Sequence, residues 1–139
     1  MQPRTLALVG AALGASFGLV GLIVPGSLAA LFGIQLDATA TALVRLVCAS
    51  YVGLGALNWT ARDLTDRAAW RVVAVGNATG WAISGVVFAG ALTSGLGNAI
   101  AWFIVALQVV TTVAWLGVFA WSRQSGADTG SLRTSGARP

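Results

Sequence analysis

Four long apolar runs occupy most of the chain, at about 5–24, 41–59, 69–92 and 99–121. None alternates polar and apolar residues with the period of two that a half-buried strand requires. Their few charges are Arg45 in the second run and Arg71 at the very start of the third. Each run is near twenty residues, and at about 1.5 Å per residue a helix of that length crosses the roughly 30 Å hydrocarbon core of a bilayer. A chain in lipid must satisfy its own backbone groups, so all four runs are expected to be helices. The pattern predicts an all-α fold, an integral membrane four-helix bundle with short loops over 1–122. Residues 123–139, mostly Ser, Gly, Arg and Thr, are expected to be a disordered cytoplasmic tail.

The first run stops at Pro25-Gly26. With Arg4 ahead of it and Ser27-Leu28-Ala29 behind, it also fits a cleaved signal peptide. It is longer than the roughly 7–15 apolar residues of such a segment, which favours a retained helix. Cleavage would leave three helices in the same orientation. The stretch 27–34 is too short to cross a membrane and too apolar for a free loop, so it predicts a short helix lying in the interface. Asp37 and Thr39 to Thr41 offer a polar start to the second span. In the loop 60–67, Asp63 or Thr65 can cap the third span, with Asp66 complementing its dipole.

Composition sharpens this picture. Of 139 residues, 57% are hydrophobic and 9% charged, against about a quarter charged in an ordinary soluble domain. Twelve charges, eight basic and four acidic, cannot cover the surface of a water-facing enzyme or a nucleic-acid-binding domain. The acids are Asp37, Asp63, Asp66 and Asp128, and there is no His, Lys or Glu. Without His no Ser-His-Asp or Cys-His relay can be built. The single Cys48 forms no internal disulfide, and with one Met and no His it offers no ligand set for zinc, haem or copper. The expectation is a non-enzymatic protein with no cofactor and no metal.

The arginines orient the spans. Arg4, then Arg62, Arg67 and Arg71, then Arg123, Arg133 and Arg138 fall on one side, and the connections 25–40 and 93–98 hold no basic residue. The positive-inside rule then predicts a multi-pass protein of the cell inner membrane with both termini cytoplasmic. Trp59, Trp70 and Trp121 fall near that boundary and Trp102 near the other, as an aromatic belt would. Trp81, Trp115 and Tyr51 lie deeper, as core or lipid-facing bulk or, in a sharper reading, as stacking surfaces for a flat ligand.

Small and polar residues supply the candidate sites. Gly10, Gly14 and Gly18 share one helix face, as do Gly76, Gly80 and Ser84. Small residues four apart let helices approach closely, either within the bundle or against a partner. Arg45 lies about one turn inside the second span. It can snorkel to the outer headgroups, pair with Asp37, or bind an anionic group with its planar fork. Ser16, Ser50, Ser84 and Gln108 are expected at half depth, as interhelical hydrogen bonds or, with Arg45, a ligand site. Asn58 and Asn77 are placed to bond each other nearer the cytoplasmic side.

Pro25 and Phe32-Gly33, then Val44-Arg45-Leu46 and Gly53-Leu54-Gly55, with Arg62-Asp63 and Gly76-Asn77, resemble the pattern of small bacterial DoxX-like membrane proteins and of uncharacterised proteins of similar size. The resemblance runs over about 6–121 and implies a four-helix fold, with little about activity. The leading expectation is a subunit or accessory of a membrane assembly. Its partners would be membrane lipids, other membrane-protein subunits or a second copy of the chain, and no nucleic acid. The alternative is a lipid or small-solute binding protein, or an uncoupled transporter, using Arg45 with Ser50 and Gln108.

Overall fold

The structure is a computed structural model that describes residues 2–134, with side chains through 124. It is helical: α1 (Pro3–Ile23), α2 (Pro25–Leu31), α3 (Ala38–Ala61), α4 (Arg67–Thr93) and α5 (Ala99–Thr134). Four of these, α1, α3, α4 and α5 as far as Gln124, are long and apolar enough to cross a membrane.

Local sequence sets the ends. Pro3 opens α1 and Pro25 opens α2, each at a position where the missing N–H costs no helical bond. Asp37 caps α3 by accepting from the Ala40 amide at 2.7 Å. Asp66, rather than Asp63 or Thr65, caps α4, accepting from the Ala68 and Ala69 amides at 3.1 Å each. Asp63 instead pairs with Arg62 at 3.4 Å. Where a short helix was expected over 27–34, α2 is found at Pro25–Leu31. It ends at Gly33, whose φ of 73° lets its amide reach the Ala30 carbonyl while Ile34 reaches Ala29, both at 3.0 Å. Gly95, at φ 86°, ends α4 in the same way. Asn98 caps α5 through its Oδ1, and its Nδ2 donates to the Leu31 carbonyl at 3.0 Å, tying the α4–α5 turn to α2.

The helix α5 runs beyond the span end expected at 121, into the segment expected to be disordered from 123. Arg123 and Gln124 are good helix formers, and no Gly or Pro interrupts the chain before Gly126. The end of the expected tail, 135–139, lies outside the described residues.

The chain folds as two antiparallel hairpins, α1 with α3 and α4 with α5, whose backbones approach closely within each pair and stand further apart between pairs. In the first hairpin Gly10, Gly14, Gly18 and Gly21 form a groove filled by Cys48, Tyr51, Val52, Gly55 and Asn58. A Cβ at Gly14 would sit 2.7 Å from the Tyr51 carbonyl oxygen, and one at Gly55 would sit 2.9 Å from the Ala15 amide nitrogen. No side chain fits there, so backbones touch. The hairpins meet over larger groups: Leu6, Ala7, Ala61, Trp70, Ala74, Trp81, Trp115 and Val118 form the apolar core.

The outward surface is as apolar as the core. Val72 and Val86 are each 74% exposed, Phe103 69% and Leu46 66%. In water such a continuous apolar exterior would drive aggregation.

Gly76, Gly80 and Ser84 share a face expected to pack either within the bundle or against a partner, and within the bundle Gly76 and Gly80 do not pack: both are exposed, and a Cβ at either meets nothing within 4 Å. The buried stripe of α4 is Ala74, Asn77, Ala78, Trp81 and Gly85. Spacing of four guarantees a shared face, and the bulk and polarity of Asn77 and Trp81 turn that other stripe inward.

Gly14→Val should therefore lower thermal stability in detergent by about 1–3 kcal/mol, the usual cost of overpacking. Gly76→Ala should leave it unchanged or slightly raised, because alanine is the better helix former in open space. Equal effects of the two substitutions on the melting temperature would contradict the packing described.

Candidate functional site

The most buried polar groups lie where the hairpins meet. Asn58 on α3 and Asn77 on α4 are 0% and 1% exposed. Each donates its Nδ2 to the other's Oδ1 at 3.0 Å, and Asn77 Nδ2 also donates to the Val73 carbonyl at 3.0 Å. Room for Asn58 comes from α1: a Cβ on Gly10 would stand 2.9 Å from Asn58 Nδ2. One amide pair thus joins α3 to α4 and requires a glycine on α1. The pairing expected from sequence between Asn58 and Asn77 is present.

About two turns from this pair along α3, a second polar track crosses the bundle. Gln108 Nε2 on α5 donates to Ser84 Oγ on α4 at 2.8 Å, and that hydroxyl lies 3.1 Å from Tyr51 Oη on α3. Tyr51 is held by Phe17, edge-on at 5.6 Å between ring centroids, and by Trp81 at 5.8 Å. Gly85 leaves space beside the carboxamide, since a Cβ there would lie 3.6 Å from Gln108 Oε1. That Oε1 and the indole nitrogens of Trp81 and Trp115 are buried without a hydrogen-bond partner among the described residues. The arrangement can donate and accept hydrogen bonds in a low-dielectric interior, where each unpaired group is costly. Among the described residues no cluster of three or more His, Cys, Asp or Glu occurs that could hold a metal.

The half-depth layer expected from sequence is only partly assembled. Ser84 and Gln108 meet, but Ser16 and Ser50 are exposed, and Ser50 Oγ donates to the Leu46 carbonyl of its own helix at 3.2 Å. Arg45 is also exposed, with no ion pair or hydrogen bond among the described residues, and Asp37 is engaged as a cap. Arg45, Ser50 and Gln108 therefore do not form one site. Depth along a helix does not give direction around it: Cys48, Tyr51, Gly55 and Asn58 define the inward stripe of α3, and Arg45 and Ser50 lie off its buried centre.

From sequence Tyr51 was read as bulk or as a stacking surface for a flat ligand, whereas its hydroxyl reaches the Ser84 end of the track. The spacing of Tyr51 from Cys48 and Asn58, three and seven residues, was the available signal, because it puts all three on one helix face. Trp70, expected in the boundary belt, is 4% exposed and donates Nε1 to the Leu64 carbonyl at 3.0 Å, closing the α3–α4 turn.

Asn58→Ala and Asn77→Ala should each destabilise the protein by about 1–3 kcal/mol, since each strands a buried amide. A double-mutant cycle in detergent should return a coupling near 0.6 kcal/mol and no more than about 1.7 kcal/mol. Gln108→Leu should cost less than either Asn variant, because it removes an unpartnered Oε1 and leaves Ser84 its contact to Tyr51. A larger loss for Gln108→Leu would mean that the orphaned oxygen has a partner in the membrane.

No protein-family model matches the chain, and neither the curated proteins nor the solved structures contain a match to it.

Proposed function

We propose that the protein is a non-enzymatic, multi-pass inner-membrane protein that serves as a subunit of a larger membrane assembly, docking a partner helix on the outward face of α4. The observation that carries this reading is the open stripe at Gly76 and Gly80. A Cβ at either position meets nothing within 4 Å, and Thr79 and Ile83 beside them are exposed. In lipid, helices gain nothing from hydrophobicity alone and associate where small residues permit close contact. In the α1 stripe of this same chain such glycines are already filled by α3.

The apolar exterior supports membrane placement. Arg4, Arg62, Arg67, Arg71 and Arg123 gather at one end of the bundle, which supports cytoplasmic termini under the positive-inside rule. A solute site built on Arg45, Ser50 and Gln108 draws no comparable support, because those side chains do not converge.

Gly80→Leu should leave the melting temperature of the isolated protein unchanged and abolish a stoichiometric partner or self-association recovered in mild detergent. Retention of the assembly with leucine in that stripe would sink the docking reading. For orientation, a membrane-impermeant maleimide applied to intact cells should label Ser94→Cys and spare Thr65→Cys, both in a Cys48→Ser background. Labelling of Thr65→Cys alone would invert the topology.

A further inference from the structure

Two adjoining hollows open at the arginine-rich end, and neither belongs to the polar track nor to the α4 stripe. The first, of about 730 Å³, runs between the start of α1 and the last turns of the α5 span, against Ala114, Gly117, Val118 and Trp121. The second, of about 410 Å³, is bounded by Arg4, Arg62, Asp63, Thr65, Trp70 and Trp121. Gln2, Pro3 and Trp121 line both, so the two open hollows adjoin, the first mainly apolar and the second bordered by Arg4 and Arg62. The apolar part is a single helical stripe, because residues 114, 117, 118 and 121 recur at three- and four-residue steps over about 10 Å. Gly117 forms its open floor, where a Cβ would meet nothing within 4 Å.

We propose that the adjoining hollows bind one anionic glycerophospholipid of the adjacent leaflet, with an acyl chain along the Ala114–Gly117–Val118 stripe and the phosphate in the arginine cup. Charge decides the occupant. Arg4 and Arg62 face the cup, and Arg67 lies 4.7 Å over the Trp121 ring that joins its two halves. The one carboxylate there, Asp63, is taken up by Arg62 at 3.4 Å. Arg62 is already committed, stacked 3.7 Å over Trp59, donating Nη1 to its carbonyl at 2.8 Å and paired with Asp63 through Nη2, so Arg4 is the lining's cation with no partner among the described residues. A second copy docked symmetrically would bring the same cluster of arginines against this one. Arginine end groups above a narrow apolar groove match a phosphate on a fatty chain.

The inference rests on membrane placement but not on the α4 docking face. Failure of the chain to enter lipid nanodiscs would overturn both membrane placement and this site. Insertion without lipid selectivity would overturn the site alone. The full chain in non-ionic detergent is offered equal phosphatidylglycerol and phosphatidylcholine, and bound lipid is read by native mass spectrometry. The parent should retain one phosphatidylglycerol in preference to phosphatidylcholine. Arg4→Gln should reduce that preference about fivefold. Gly117→Leu, which fills open space and should fold as the parent does, should reduce retention of both lipids. Arg45→Gln, far along α3 from the cup, should change neither. Equal retention of the two lipids by the parent, or an unchanged preference in Arg4→Gln, would overturn the proposal. Excess soluble glycerol phosphate should not displace the lipid. Displacement would reduce the site to a surface anion site and overturn the role of the groove.

Discussion

Two carboxamides facing each other in the interior fix the relative height of α3 and α4. Asn58 and Asn77 are buried and each takes its partner from the other, which ties α3 and α4 to one relative height. A slip of one turn, about 5.4 Å, would strand both. That pairing reaches α1, where glycine at position 10 leaves room for the Asn58 amide and a Cβ would stand 2.9 Å from its Nδ2. It reaches α5 through the same seam, where Trp81 and Trp115 complete the core and Gln108 meets Ser84. Apolar burial provides no comparable register in lipid, because the surroundings are as apolar as the interior.

The interface inside the first hairpin and the interface between the hairpins solve helix association by different means. Within α1 and α3, glycines bring backbones into contact and dispersion dominates. Between the hairpins, aromatic side chains and amides span a wider gap, held by the Tyr51–Trp81 contact and the two polar links. The first interface tolerates no added carbon. The second contains unpaired groups, at Trp81 Nε1, Trp115 Nε1 and Gln108 Oε1, and is the less fully satisfied seam. The outward faces then divide by chemistry. The α4 stripe presents open small residues, whereas the hollows between the start of α1 and α5 end among arginines.

Helix capping shows how closely local chemistry was legible. Asp37 could be read as a helix start because a short carboxylate before an apolar run has few other uses, and it does accept from the Ala40 amide. Asp63 and Asp66 are three residues apart in one loop, both able to cap. Arg62 beside Asp63 offers that carboxylate an ion pair, which leaves Asp66 to the α4 amides. A loop of five residues with two acids and competing partners cannot be resolved by propensity alone.

The sequence by itself determined the four apolar helices, the breaks at Pro25 and after Asp37, the charge asymmetry between the ends and the pairing capacity of Asn58 and Asn77. These depend on spacing along one chain and on the hydration of single residues, which are local quantities. Only the tertiary structure decided which face of each helix turns inward. Gly10, Gly14 and Gly18 on α1 and Gly76 and Gly80 on α4 have the same spacing, yet the first set is filled and the second lies open. Arg45 and Ser50 have the right depth for a buried site and lie on the surface. In lipid an apolar helix has no polar side to mark its exterior, so rotation about its axis is fixed by contacts with its neighbours. Those contacts join residues such as Tyr51 and Ser84, 33 positions apart in the chain.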